Sequence, residues 1–249
     1  MTRFGSAHGT VGLVKPTYRP GSLEEFVRLL PEGIGVIPLY LDIRRGTREE
    51  FARVIDAVEE KVAKLAEIGV DLIHPEGAPP FMLLGPARER EIVSGWERRF
   101  GIPVVTAPQT QAEAMRALAM RRIVGITYFT GELNDDFASY LAACGFDVLG
   151  MEGIAVPFAD VGRLEPAHVR AFARDAFRRH ERADGVYLLG SGWRILDVIE
   201  PLERELGVPV VHAVTARVWA VQRRLGVHET RTGYGRLLAE LPAHVAVPA

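Results

Sequence analysis

Five short stretches hold residues whose types and spacing could do chemistry. Residues 73–80 read IHPEGAPP, residues 127–130 TYFT, residues 188–194 LLGSGWR, residues 208–213 VPVVHA, and residues 15–21 KPTYRPG. His74 and Glu76 stand two apart and would share one side of an extended strand, as a proton-transfer pair requires. Pro75 between them lacks an N–H and has a fixed backbone angle, so the expectation is that the chain turns there. Past the turn, the Gly77 and Ala78 N–H groups are expected at the start of a helix, where an anion is favoured. Thr127 and Tyr128 bring hydroxyls to another strand end, suited to donating to a carboxylate, although Thr130 could serve only as a helix cap and Tyr128 only in packing. Gly190 and Gly192 let backbone approach a ligand closely around Ser191. No G-x-S-x-G elbow surrounds Ser191, so nucleophilic acyl transfer has little support. Lys15, one of three lysines, is either a carboxylate contact at a cleft edge or a surface residue.

What must position these residues is a repeat. WERRFGIPVVTA at 96–107 returns as LERELGVPVVHA at 202–213, 106 positions later. In each copy a polar helical run ends at Gly and passes through Pro into a β-branched run, the pattern of a helix feeding a buried strand. The stretches GVDLIHPEGAPP and DGVYLLGSGWR form a second matching pair upstream. Two similar βαβ halves follow, with the loops after Ile73, Val105, Leu189 and Val211 lining one cleft. The predicted lobes are residues 1–108 with 214–249, and 109–213.

Periodicity predicts strands at 10–14, 35–41, 70–74, 121–127, 146–151 and 186–189. Helices are predicted at 22–30, 47–68, 110–120, 132–143, 165–180, 197–206 and 215–224. Ser22 with Glu25, and Thr47 with Glu50, have capping-box spacing. The tail RTGYGRL is either structural closure or a way to bring Tyr234 or Arg236 to the cleft.

The composition narrows the classes. A chain of 249 residues, 48% hydrophobic and 25% charged, can bury a full core. A net charge of −2 makes nucleic acid a poor partner, and the paired arginines read as solvated helix faces. The single cysteine, Cys144, excludes a disulfide framework and a multi-cysteine metal site, and reads as a small buried hydrophobe. No apolar run approaches the roughly 18 residues of a bilayer span, and MTRFGSAHGT lacks an apolar signal core. A soluble, cytoplasmic protein without membrane contact is the expectation.

The segment GVYLLGSGWRILDVIEPLERELGVPVV, the tail TGYGRL and, more loosely, RRIVGITYFTGELND resemble the aspartate/glutamate racemase superfamily, in particular the branch of arylmalonate decarboxylase and maleate cis-trans isomerase. The resemblance implies two Rossmann-like α/β lobes with parallel sheets related by a pseudo-twofold axis. It also implies a small carboxylate between them, no metal or organic cofactor, and a homodimer. Enzymes of this kind carry a cysteine at one or both of the positions that match Gly77 and Gly190, and this chain has neither. The positions that match the decarboxylase's dioxyanion hole and its neighbours are Gly77, Ala78, Thr127, Tyr128 and the backbone of Gly190, Ser191 and Gly192. Phe81, Phe129 and Trp193 are candidate apolar walls.

The resemblance thus implies a cofactor-independent lyase or isomerase working through an enolate in an oxyanion hole, with decarboxylation preferred. A new proton donor would be Glu76, His212 or Tyr128, in that order, with Lys15 holding the carboxylate. The alternatives are maleate-isomerase-like activity, an acid/base hydratase using Glu76 and His74, and a non-catalytic carboxylate-binding protein.

Overall fold

Parallel pairing puts the carboxyl ends of neighbouring strands on one edge, and two such edges build the site. The computed structural model describes residues 5–243. Strands β1 (Thr10–Lys15), β2 (Gly35–Tyr40) and β3 (Leu72–Pro75) form a parallel sheet in the order β2-β1-β3. Val104 adds a single bridge to Ile73 at its edge. Strands β4 (Arg122–Thr127), β5 (Asp147–Gly153), β6 (Gly185–Leu188) and β7 (Val210–His212) form a second parallel sheet, β5-β4-β6-β7. The order is the same in both, with Val104 standing where β7 stands.

The helices are α1 (Gly21–Leu29), α2 (Arg48–Ala52), α3 (Ile55–Ile68), α4 (Ala78–Met82), α5 (Gly85–Phe100), α6 (Ala107–Ala117), α7 (Glu132–Ala143), α8 (Pro166–Arg178), α9 (Leu196–Leu206), α10 (Ala213–Leu225) and α11 (Arg236–Glu240). A 3₁₀ turn covers Phe158–Arg163. In the repeat, α5 and α9 end at Gly101 and Gly207, both in the left-handed region at φ 69° and 72°. The chain then enters Val104 or β7, and continues directly into α6 or α10. Helix α6 packs against β7, while α10 packs against α1 and β3, so each repeat's last helix reaches toward the other sheet.

Three local expectations are corrected. Ser22 is not an N-cap: α1 begins at Gly21 after Pro20 without a side-chain cap, and the Ser22 hydroxyl instead accepts from Lys15 Nζ at 2.6 Å. The single helix expected over 47–68 is two. Thr47 does cap α2 through the Glu50 N–H, but the chain breaks at Arg53 and Val54. Phe51 of α2 turns to the cleft, whereas Val58, Val62 and Leu65 of α3 bury toward the first sheet. Finally, β3 does not stop before Pro75. Pro75 pairs with Val14, and the Glu76 N–H donates to Val14 O at 2.8 Å. A proline at the last position of a strand loses only one donor, and the ladder resumes at once.

Candidate active site

Extending β3 through Pro75 settles where its polar side chains go: His74 and Glu76 both line the cleft between the two sheets. The cavity in the cleft is small, about 40 Å³. The β3 end contributes His74, Glu76, Gly77 and Ala78, and the β4 and β6 ends contribute Tyr128, Phe129, Gly190 and Ser191. Ala107 and Gln111 enter from α6, Ala213 and Arg217 from α10, and Phe51 and Phe158 add apolar wall.

Under the β3 end lies a buried ionic cluster. Arg217 Nη1 donates to Glu76 Oε1, and Lys15 Nζ lies 3.2 Å from Glu76 Oε2. All three side chains are at most 2% exposed. The Arg217 guanidinium also sits 4.5 Å over the Phe26 ring. Burial, reinforced by Arg217, pushes the Lys15 ammonium down to about 7. Burial likewise lowers Arg217 to about 9, against the pull of Glu25. His74 is buried and neither ring nitrogen meets a partner among the described residues. Burial, then the Arg217 charge, holds its pKa well below the ordinary value, so the imidazole is neutral.

The opposite wall is held by neutral hydrogen bonds. The Tyr128 hydroxyl accepts from the Gly192 N–H at 3.2 Å, and Trp193 packs edge-on to its ring at 5.0 Å. Burial raises the phenol's pKa, with the Gly192 N–H opposing. Trp193 Nε1 donates to Gly190 O at 2.8 Å, and His212 Nε2 lies 3.0 Å from the same oxygen. Gly190 sits at φ 102°, and a Cβ added there would fall 2.6 Å from the Tyr128 hydroxyl oxygen. The phenol therefore fills the volume a side chain at position 190 would take.

Of the residues singled out in the sequence, Glu76, Gly77, Ala78, Tyr128, Gly190, Ser191 and Phe129 share this cleft, and Lys15, Thr127, Gly192 and His212 stand behind its wall. Lys15 is a buried partner of Glu76 rather than a cleft-edge contact. Thr127 Oγ1 accepts from the Phe129 N–H and meets Asn134 Oδ1, each at 2.9 Å, locking the turn after β4. His212 has both nitrogens engaged, since Nδ1 accepts from the Val214 N–H at 3.4 Å, which assigns the proton to Nε2. Burial lowers it to about 4, leaving a neutral ring that holds the Gly190 loop. Glu76 has its carboxylate oxygens taken up by Lys15 and Arg217, so it is spent on a buried ion-pair cluster. Phe81 packs edge-on to Trp96 and does not line the cleft, and Trp193 packs edge-on to Tyr128. Tyr234 and Arg236 close the fold: Arg236 N–H donates to Glu203 and its guanidinium to Glu240. Cys144 ends α7, half-buried and outside this cleft, with its thiol pKa raised by burial.

The sequence reading missed Arg217, Gln111, Phe51 and Phe158. Two of these were recoverable. The repeat aligns Ala107 with Ala213, and four residues further on, one helical turn into the cleft, it aligns Gln111 with Arg217.

Paired strand ends facing each other across a largely apolar cleft with a few polar groups define the class: a two-sheet α/β protein with its cleft where the strands end. Among the described residues no group of three His, Cys, Asp or Glu comes together as a metal site, and no helix is long and apolar enough to cross a membrane. The chain belongs to the arylmalonate decarboxylase family, whose model matches residues 11–238. It is 28% identical to arylmalonate decarboxylase of Bordetella bronchiseptica over 237 residues, 93% of this chain and 97% of that one. Maleate isomerase of Nocardia farcinica is 30% identical over 129 residues, 51% of each chain. A cysteine-rearranged double mutant of arylmalonate decarboxylase in liganded form superposes with a TM-score of 0.86 at 25% identity, covering 93% of this chain and 99% of that one. The N. farcinica maleate cis-trans isomerase carrying a succinylcysteine intermediate gives 0.84 at 22% identity, covering 93% and 98%, and so shares the fold.

Proposed function

We propose that this protein is a decarboxylase of small malonate-type acids, working through an enolate without a thiol and without a cofactor. The reaction needs three things: an apolar place for the carboxylate that leaves, donors for the one that remains, and a proton for the carbon. Phe51, Phe129 and Phe158 supply the first, since a carboxylate stripped of water by aromatic walls is destabilised relative to neutral carbon dioxide. Gly77 and Gly190 have no side chains, so what they present to the cleft is backbone, and with Ala78 and Ser191 they offer N–H groups from both strand ends. When the carbon–carbon bond breaks, its electron pair enters the remaining carboxyl as an enediolate, and these donors meet the charge that develops.

The observation that carries the reading is Tyr128 in the seat of a residue-190 side chain. The Gly192 N–H occupies one lone pair of its oxygen and leaves the phenolic proton free to transfer to the enolate carbon. The phenolate left behind regains a proton from solvent. One donor on one face suits protonation after carbon dioxide loss. Isomerisation by covalent addition of a thiolate, as in the succinylcysteine form of the N. farcinica enzyme, would need a cysteine in the cleft, and Cys144 lies elsewhere.

Proton NMR of the protein with phenylmalonate and methylphenylmalonate in deuterated water tests this. Carbon dioxide release with one deuterium at the α-carbon is expected. Tyr128→Phe should lower kcat by about 10²- to 10⁴-fold, the usual worth of a positioned acid, with KM nearly unchanged. Binding of these acids without turnover would leave the carboxylate-binding protein as the reading, and full activity of Tyr128→Phe would remove Tyr128 from the mechanism.

A further inference from the structure

His74 is the least satisfied polar group in the cleft: 1% exposed, lining the cavity, and with neither ring nitrogen partnered among the described residues. Buried polar groups are normally hydrogen-bonded, so a side chain in this state at a cavity wall marks where a ligand supplies the bonds. A neutral imidazole offers one N–H and one lone pair. A carboxylate, which only accepts, would leave the lone pair unmet. The surrounding charge points the same way. Arg217 and Lys15 are both turned to Glu76, so neither is free to meet a second anion at His74. Gln111 completes the group: its Oε1 accepts from the Tyr187 hydroxyl, which fixes the amide and leaves its NH₂ to donate.

We infer that His74 and Gln111 form a specificity seat for a neutral protic substituent of the substrate, a group that both donates and accepts, such as a hydroxyl. The substrate class is then a hydroxyl-bearing carboxylic acid rather than a purely hydrocarbon one. The inference rests on the cleft being the substrate site, as in the decarboxylase reading, but not on the reaction performed there.

Two isosteric pairs separate the claims. Dissociation constants measured by NMR titration for 3-hydroxypropanoate and butanoate should favour the hydroxy acid by about tenfold, the worth of one well-made neutral hydrogen bond. His74→Leu should bring the ratio close to one, and His74→Gln, which keeps a donor and an acceptor, should restore part of it. Equal binding of the two acids by the wild type, binding of neither, or an unchanged ratio in correctly folded His74→Leu would overturn the seat. The wild-type ratio decides even where the Leu variant does not fold. Hydroxymethylmalonate and ethylmalonate then report turnover. A binding preference for the hydroxy acid with no carbon dioxide from either malonate would sink the decarboxylase reading and uphold the seat.

Discussion

The two walls of the cleft share a backbone plan and differ in how their polar groups are satisfied. At the β3 end the groups are ionic: Glu76 is held between Lys15 and Arg217. At the β6 end they are neutral: Tyr128, Trp193 and His212 hold the Gly190 to Gly192 loop by single hydrogen bonds. The repeat makes the contrast sharper. His74 stands three residues before Gly77 as Tyr187 stands three before Gly190, and Gln111 aligns with Arg217. Tyr187 meets Gln111 of the other repeat copy, while Arg217 passes His74 by and bonds Glu76. The repeated scaffold has thus put buried ion pairs on one side of the cleft and single hydrogen bonds between uncharged groups on the other. Buried charge positions and discriminates at high cost if disturbed, whereas a neutral hydroxyl can give up its proton and recover it.

The largest expected effect tests the ionic side. Arg217→Met leaves Glu76 buried with Lys15 alone and should cost about 3–5 kcal/mol in urea unfolding, the usual penalty for breaking a buried pair. Its repeat counterpart Gln111→Leu removes only an acceptor from Tyr187 and should cost about 1–3 kcal/mol. Equal losses would erase the contrast between the walls.

Acid should find the neutral side next. His212 titrates near 4 in the fold against an ordinary 6.5, because burial disfavours its charged form. A lowered folded pKa means that the unfolded chain binds the proton first as pH falls. The contribution is therefore complete above 6.5 and lost between 6.5 and about 4, on the order of 3 kcal/mol. His212→Asn should flatten the urea-unfolding stability measured across this window. His74 adds loss of the same sign, so some slope will remain in the variant.

The strand-end glycines give a smaller and more local comparison. Gly77 and Gly190 both lie at positive φ, so Ala at either should cost about 1–2 kcal/mol in backbone terms. At Gly190 the new Cβ must also displace Tyr128 from 2.6 Å, adding about 1–3 kcal/mol, whereas at Gly77 it meets Pro16 at 3.3 Å. Thermal unfolding should rank the two accordingly, and adding Tyr128→Ala to Gly190→Ala should recover the excess. Smallest of all, Thr106→Ala removes the capping box that starts α6, formed with Gln109, and should lower stability by about 1 kcal/mol.

Much of this was readable in the order of residues. The repeat, with its Gly and Pro punctuation and β-branched runs, specified two parallel αβ halves, because helix ends and buried strands are set by local backbone preference. It also put Glu76, Gly77, Tyr128, Gly190 and Ser191 at strand ends facing one cleft. Less readable were the residues that reach this cleft from a distance. Phe51 lies on a helix that breaks earlier than its periodicity suggests, and Phe158 on a 3₁₀ turn with no marking pattern.

What the chain could not decide by itself was which polar residues are spent inside the protein and which remain for a ligand. Lys15, Thr127 and His212 have the right chemistry and the right position along the strand, yet each is consumed by a neighbour distant in sequence or folded back upon it. His74 has the same chemistry and meets no partner among the described residues. Partnership among buried groups depends on atoms brought within about 3 Å by tertiary packing, often from more than a hundred residues away, as Arg217 is brought to Glu76. Local sequence fixes where a side chain leaves the backbone; only the assembled fold fixes what it meets there.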